Sequence, residues 1–137
     1  MEAIKPLEKR ILLVDDDPSV LALQKRIFTG FLKVPPESID TAGNGMVALR
    51  MIEGFYQNAG GVYHFMISDN NMPAMSGPEL YRKLKGQNFR PKEILFSSGK
   101  MDDLKANLGN DFEEFSGKII QKPYDCPEFV AFVSKYL

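Results

Sequence analysis

The sequence predicts an α/β fold, an open sandwich on a parallel sheet with helices on both faces. Three observations carry this. Short apolar runs of strand length do not alternate with polar residues, as suits strands buried on both faces. Helix-period segments lie between them, and strand and helix alternate five times along the chain. Connections that long require parallel pairing with right-handed crossovers.

The first strand is "ILLV" (11–14). Asp17 as N-cap and Pro18 at the first helical position then open a helix through residue 33, with Val20, Leu23, Ile27, Phe28 and Phe31 as its apolar stripe. "SIDTA" (38–42) reads as an edge strand, because Ile39 and Thr41 alternate with polar and small residues. "GMVALRMIEGF" (45–55) is a helix facing inward through Met46, Leu49 and Ile52. "VYHFMIS" (62–68) holds the third strand, with His64 at its start as a partly exposed side chain without a special task.

"SGPELYRKLK" (76–85) opens with Ser76 three residues before Glu79, the spacing of a capping box, and Leu80 and Leu84 share a face. The fourth strand is "ILF" (94–96). Met101, Leu104 and Leu108 predict a helix within 101–115, loosened at its end by "GND" (109–111). "II" (119–120) is the last strand, and "DCPEFVAFVSKYL" (125–137) closes the chain with Phe129, Phe132, Val133 and Tyr136 as its stripe.

At 137 residues the chain fits a single domain, 1–137, with its core over about 10–137. Apolar residues at 44% and charged residues at 26% fit a globular protein and argue against disorder or a membrane span. Seventeen basic against eighteen acidic residues lack the basic excess of a nucleic-acid binder. The basic stretch 81–92, with Arg82, Lys83, Lys85, Arg90 and Lys92, reads as a solvated helix face. The lone Cys126 cannot form an intramolecular disulfide, and no Cys/His cluster offers a zinc site. "MEAIKPLEKR" has no apolar stretch of signal-peptide length, so the expectation is a cytoplasmic protein without a membrane partner.

Chemistry collects where the strands end. In such sheets ligands bind beyond the carboxyl ends of the strands. Run 11–14 is followed by Asp15, Asp16 and Asp17, run 62–68 by Asp69, run 94–96 by Ser97 and Ser98, and run 119–120, after Gln121, by Lys122. Adjacent carboxylates repel and stay ionised only beside a compensating cation; an all-oxygen set selects a hard ion such as Mg²⁺. Carboxylates, Mg²⁺, a hydroxyl and a lysine together suit phosphoryl transfer, and a carboxylate can itself accept the group. Asp69, alone on a central strand, is the natural acceptor. Each signal also has an ordinary reading: "VDDDP" as a capped helix start, "DNNMP" as a turn, Ser97–Gly99 as a loop, and Lys122 as a solvated side chain. It is their joint order that favours a site.

These residues resemble the receiver domain of two-component response regulators over roughly residues 10–137, through "ILLVDDDP", "ISDNNMPAMSG", "ILFSSG" and "QKPY" in family order. The acceptor loop is most similar to chemotaxis-type single-domain receivers. The resemblance implies a flavodoxin-like five-stranded sheet of order 2-1-3-4-5. It implies Asp69 as phosphoacceptor, with Asp16, Asp69 and the Asn71 backbone carbonyl as Mg²⁺ ligands and Asp15 acting through water. It further implies that Ser97 and Lys122 bind the phosphoryl group, that Ser98 leaves access, that Pro73 and Gly77 shape the loop, and that Pro123 follows a cis peptide. Asn70 is expected near the entrance, able to tune hydrolysis.

The implied partners are a sensor histidine kinase or histidine phosphotransfer protein and a downstream protein target, with no direct nucleic-acid contact. The implied role is a signalling switch rather than an enzyme. The sequence ends at Leu137, after the last helix, so the expected output is protein contact or onward phosphotransfer; a receiver from a longer regulator or hybrid kinase is the alternative. Two departures stand out. Ile119 occupies the position where the family usually has Tyr or Phe, and the segment between Ser97 and Lys122, with "NDFEEFSGK", is longer than usual. A pseudo-receiver working without phosphorylation is therefore a competing reading. An Asp-nucleophile phosphatase of the haloacid-dehalogenase type is another, disfavoured because it needs a second acid where Asn71 stands.

Overall fold

The computed structural model describes residues 9–137, so the reading of residues 1–8 lies outside the described residues. Five parallel strands form one sheet of order β2-β1-β3-β4-β5: β1 (Ile11–Val14), β2 (Ile39–Ala42), β3 (Phe65–Asp69), β4 (Glu93–Ser98) and β5 (Ile119–Gln121). Helices α1 (Pro18–Gly30), α2 (Gly45–Ala59), α3 (Gly77–Leu84), α4 (Met101–Leu108) and α5 (Cys126–Ser134) connect and follow them. The chain has the flavodoxin-like architecture, with "SIDTA" at the sheet's edge as the sequence predicts.

Strand side chains alternate between faces, so the sheet divides the core in two. Leu12, Met66, Ile94 and Phe96 pack with α2, α3 and α4; Ile11, Leu13, Ile67, Leu95 and Ile120 pack with Phe28 of α1 and with Phe129 and Val133 of α5. Phe115 makes edge-to-face contacts with both Tyr81 and Phe96, at 4.9 Å between ring centroids in each case.

Helix starts follow the sequence closely. Asp17 caps α1 by accepting from the Ser19 N–H at 2.9 Å, while Ser76 and Glu79 complete the capping box of α3. Asp125 and Glu128 form a second box at α5. Past α4 the chain tightens into a 3₁₀ segment, Gly109–Phe115, the loose end that "GND" announces.

The α1 reading needs correction. The helix ends at Gly30 rather than 33, and Leu23 and Phe31 are 47% and 68% exposed. The buried face is instead Gln24, Ile27 and Phe28, because residue 23 lies about 100° around the helix from residue 24. Lys33 has φ 59°, and the Val34 N–H bonds back to the Phe28 carbonyl. β3 begins at Phe65, so "FMI" lies in the strand as expected with His64 just before it, while Tyr63 turns its hydroxyl to Asp40 at 2.6 Å. α5 stops at Ser134, short of the expected 137. His64 is half-buried and bonds through Nε2 to the Tyr136 carbonyl at 2.6 Å, tying down the chain after α5.

Candidate functional site

The register of the sheet builds the site. Leu13 pairs with Ile67 and Ile67 with Leu95; two residues further on, the same face brings forward Asp15, Asp69 and Ser97, with Asp69 directly opposite Ser97. Lys122 lies two residues past Ile120, which is the partner of Ser97 on β5. Four groups spread over more than a hundred residues of sequence thereby share one edge.

One carboxylate oxygen each from Asp15, Asp16 and Asp69 lies within 4.8 Å of the others. Asp15 is buried, Asp69 half-buried and Asp16 exposed, so the cluster has a dry floor and a wet mouth. The Asp15 carboxylate accepts from the Asp17 N–H at 2.9 Å, and Asp69 Oδ1 accepts from the Asn70 N–H at 2.8 Å. Asp17 itself is occupied as the cap of α1.

Lys122 Nζ lies 2.9 Å from Asp15 Oδ2 and 3.3 Å from Asp69 Oδ1, carried in by a cis Lys122–Pro123 peptide. Burial alone would lower the lysine's pKa, but its bond to Asp15 and the charge of Asp69 outweigh that and hold it above the ordinary value. For Asp69, burial first and the Asp15 charge second push the carboxyl up, against the pull of Lys122 and the Asn70 N–H. The Asp69 site therefore holds more negative charge than its one ammonium balances.

Such a donor set fits Mg²⁺: three clustered carboxylates, oxygen only, with an exposed side open to water. Asn71 stands two residues beyond Asp69 in the following bend, exposed. The loop then runs to Pro73, whose carbonyl accepts the Met75 N–H at 2.7 Å across Ala74, a non-glycine residue at φ 67°. Gly77 is required here, since a Cβ at this position would collide with the Asp69 carbonyl. Its N–H bonds the Asn70 carbonyl at 2.9 Å, closing the loop onto α3.

Ser97 is 1% exposed and its hydroxyl has no hydrogen-bond partner among the described residues. Ser98, also buried, engages the backbone of Lys100 through its hydroxyl at 3.1 Å. Ile119 is half-buried against the α2–α4 side of the core.

Asn70 is not at the entrance. It is 1% exposed, and its side-chain oxygen accepts from Asn107 of α4 at 3.3 Å. Alternation explains this: residue 70 faces away from the carboxylate row that residue 69 joins. Three neighbours escaped the sequence reading: Asn107, Gln24 and Tyr124. Gln24 had a legible signal, a polar residue at the core phase shared by Val20 and Phe28.

A doubly wound parallel sheet with an acidic trio, a buried hydroxyl and a lysine gathered beyond its strand ends defines a receiver-type signalling module rather than a conventional enzyme. The chain belongs to the response regulator receiver domain family, whose model matches residues 11–134. It is 27% identical over 123 residues to the transcriptional regulatory protein TcrA of Mycobacterium tuberculosis, covering 89% of this chain and 43% of that protein. It is 27% identical over 116 residues to the two-component response regulator ORR41 of Oryza sativa, covering 82% of this chain and 85% of that one. The chain thus spans less than half the length of TcrA.

Among solved structures, a CheY-like receiver domain protein from Methanospirillum hungatei shares the fold with TM-score 0.67 and 23% identity, over 93% of this chain and 91% of that one. A Borrelia burgdorferi structure of a CheX–CheY–BeF3–Mg complex does so with TM-score 0.66 and 21% identity, over 93% and 88%. No helix among the described residues is long and apolar enough to cross a membrane.

Proposed function

We propose that this receiver accepts a phosphoryl group on Asp69 from a phosphohistidine of a sensor kinase or histidine phosphotransfer protein, and signals by the resulting change of conformation. The observation that carries this reading is the convergence of Asp15, Asp16, Asp69 and Lys122 on one edge, with Asp69 facing the unpartnered Ser97 hydroxyl across the β3–β4 ladder.

In the transfer, an Asp69 carboxylate oxygen attacks phosphorus, an O–P bond forms, the P–N bond to the donor imidazole breaks, and the imidazole leaves with a proton in place of the phosphoryl group. Asp16, Asp69 and the Asn71 carbonyl would hold Mg²⁺, with Asp15 acting through water, and the ion would supply charge neutralisation to the transferring group. Lys122 turns from Asp15 and Asp69 to a phosphoryl oxygen, and Ser97 donates its hydroxyl to another. The added charge then biases a two-state equilibrium toward the form that a downstream protein recognises. We place this in the cytoplasm, with no direct nucleic-acid or membrane contact.

Mg²⁺ and acetyl phosphate, followed by intact mass, test the reading. A gain of one phosphate by the wild type and none by Asp69→Asn supports it. No gain in either favours the pseudo-receiver that Ile119 raises, and multiple turnover of general phosphate esters favours a phosphatase.

A further inference from the structure

Gln24 is a buried amide on the core face of α1, 2% exposed, and its Nε2 donates to the Tyr124 hydroxyl oxygen at 2.8 Å. The Tyr124 ring is fixed: it stacks on Phe129 with centroids 5.1 Å apart and planes at 22°, two residues after Lys122. It packs against the same half of the core as Leu95 and Ile120. Ser97, two residues beyond Leu95 and paired with Ile120, shares that face.

Donor and acceptor counting gives the arrangement a direction. A phenol that accepts a hydrogen bond still has its own proton to donate. Ser97 Oγ is a buried hydroxyl on this face with no partner among the described residues, whereas Glu93 Oε1 on the same strand is met by the Lys118 ammonium at 2.8 Å. Burial holds Tyr124 above the ordinary phenol pKa, against the opposing pull of its bond from Gln24, so its proton stays in place to be donated. A serine that accepts from Tyr124 keeps its own proton turned elsewhere, and Asp69 is opposite it on β3.

We propose that Gln24 and Tyr124 are positioning residues for Ser97: the Gln24 N–H donates to the Tyr124 oxygen, the Tyr124 O–H donates to Ser97 Oγ, and the Ser97 O–H is thereby aimed at an incoming phosphoryl oxygen. Hydrogen bonds in such a chain polarise one another in the same sense. The proposal rests on the assignment of Asp69 as acceptor. It also routes the phosphoryl state to the α1 and α5 side of the sheet, whereas Ile119 packs on the opposite side.

Binding of beryllium fluoride with Mg²⁺, a phosphoryl mimic, tests this in wild type, Tyr124→Phe, Ser97→Ala and the double variant. Tyr124→Phe keeps the stacked ring and removes only the hydroxyl. It should weaken binding by about three- to tenfold, the worth of roughly one hydrogen bond. Gln24→Leu should weaken it in the same direction. In the Ser97→Ala background Tyr124→Phe should have no further effect, because the chain has lost its last member.

An equal loss with and without the Ser97 hydroxyl, or no loss from Tyr124→Phe, overturns the positioning role and leaves Asp69 as acceptor untouched. A wild type that takes up neither beryllium fluoride nor phosphate overturns both.

Discussion

Lys122 Nζ and Asp15 Oδ2 meet at 2.9 Å although 107 residues separate them in sequence. Asp15 is 2% exposed, so this ammonium is the cation that makes a buried carboxylate tolerable when no metal is bound. The lysine proposed to bind the phosphoryl group thus has a structural task before any phosphate arrives. Lys122→Met should destabilise the Mg²⁺-free protein by about 2–3 kcal/mol, below the full cost of breaking a buried pair because the lysine is partly solvated. Urea unfolding in EDTA measures this; a change within about 0.5 kcal/mol, as for an ordinary surface position, would show that Asp15 does not need the lysine.

Asp69→Asn should act in the opposite direction. Burial and the Asp15 charge disfavour the ionised form of Asp69 on balance, so a neutral amide relieves the site. The Mg²⁺-free variant should gain on the order of 1 kcal/mol over wild type near neutral pH, and Mg²⁺ should raise the stability of wild type much more than that of the variant. A less stable variant in EDTA would contradict the charge crowding described above.

Ala74 holds φ 67° beside a Pro73 C=O···H–N Met75 bond of 2.7 Å, a tight three-residue turn in a region that L-residues seldom occupy. Ala74→Gly removes the Cβ clash and should stabilise the fold by up to about 1 kcal/mol, less the entropy glycine adds to the unfolded chain. The thermal midpoint should rise or hold; a clear fall would mean the alanine methyl has packing value.

Phe115 closes the α3–β4 side of the core against Tyr81 and Phe96, and it comes from the 3₁₀ segment that follows α4. Phe115→Ala should cost about 3–5 kcal/mol. The ion pair of Lys85 with Asp111 nearby is exposed on the lysine side, and Lys85→Ala should cost far less than Phe115→Ala. Comparable losses from the two would overturn this ranking.

Tyr81 gives the clearest pH dependence. Burial, followed by its bond to Glu114 at 2.6 Å, pushes the phenol up to about 12 from an ordinary 10.0. Because the folded state keeps this proton longer, its contribution is intact below pH 10 and is lost as pH rises toward 12. Phenolate absorbance should show one late-titrating tyrosine fewer in Tyr81→Phe, and the variant's stability should fall less steeply over that window. Loss of a tyrosine titrating near the ordinary 10.0 instead would place the Tyr81 hydroxyl in water.

Strand identity, helix starts and the edge that the candidate site's residues share were legible because each rests on local chemistry. Non-alternating apolar runs have few alternatives to a two-sided strand, Asp17, Ser76 and Asp125 advertise the helices they cap, and polar residues directly after those runs must lie along the carboxyl edge of a parallel sheet. Asp15, Asp69, Ser97 and Lys122 could be named together on that ground. What did not follow was which side of the sheet or helix a single residue faces. Leu23 and Phe31 look like core by residue type yet lie in water, while Gln24 and Asn70 are polar yet buried.

Only packing across distant segments decides such cases. Gln24 can be buried because Tyr124, a hundred residues away, accepts a hydrogen bond from its amide, and the Asn70 side-chain oxygen because Asn107 reaches it from α4. Periodicity along a chain records how often a side chain turns inward, whereas the partner that makes burial of a polar group affordable belongs to another part of the fold.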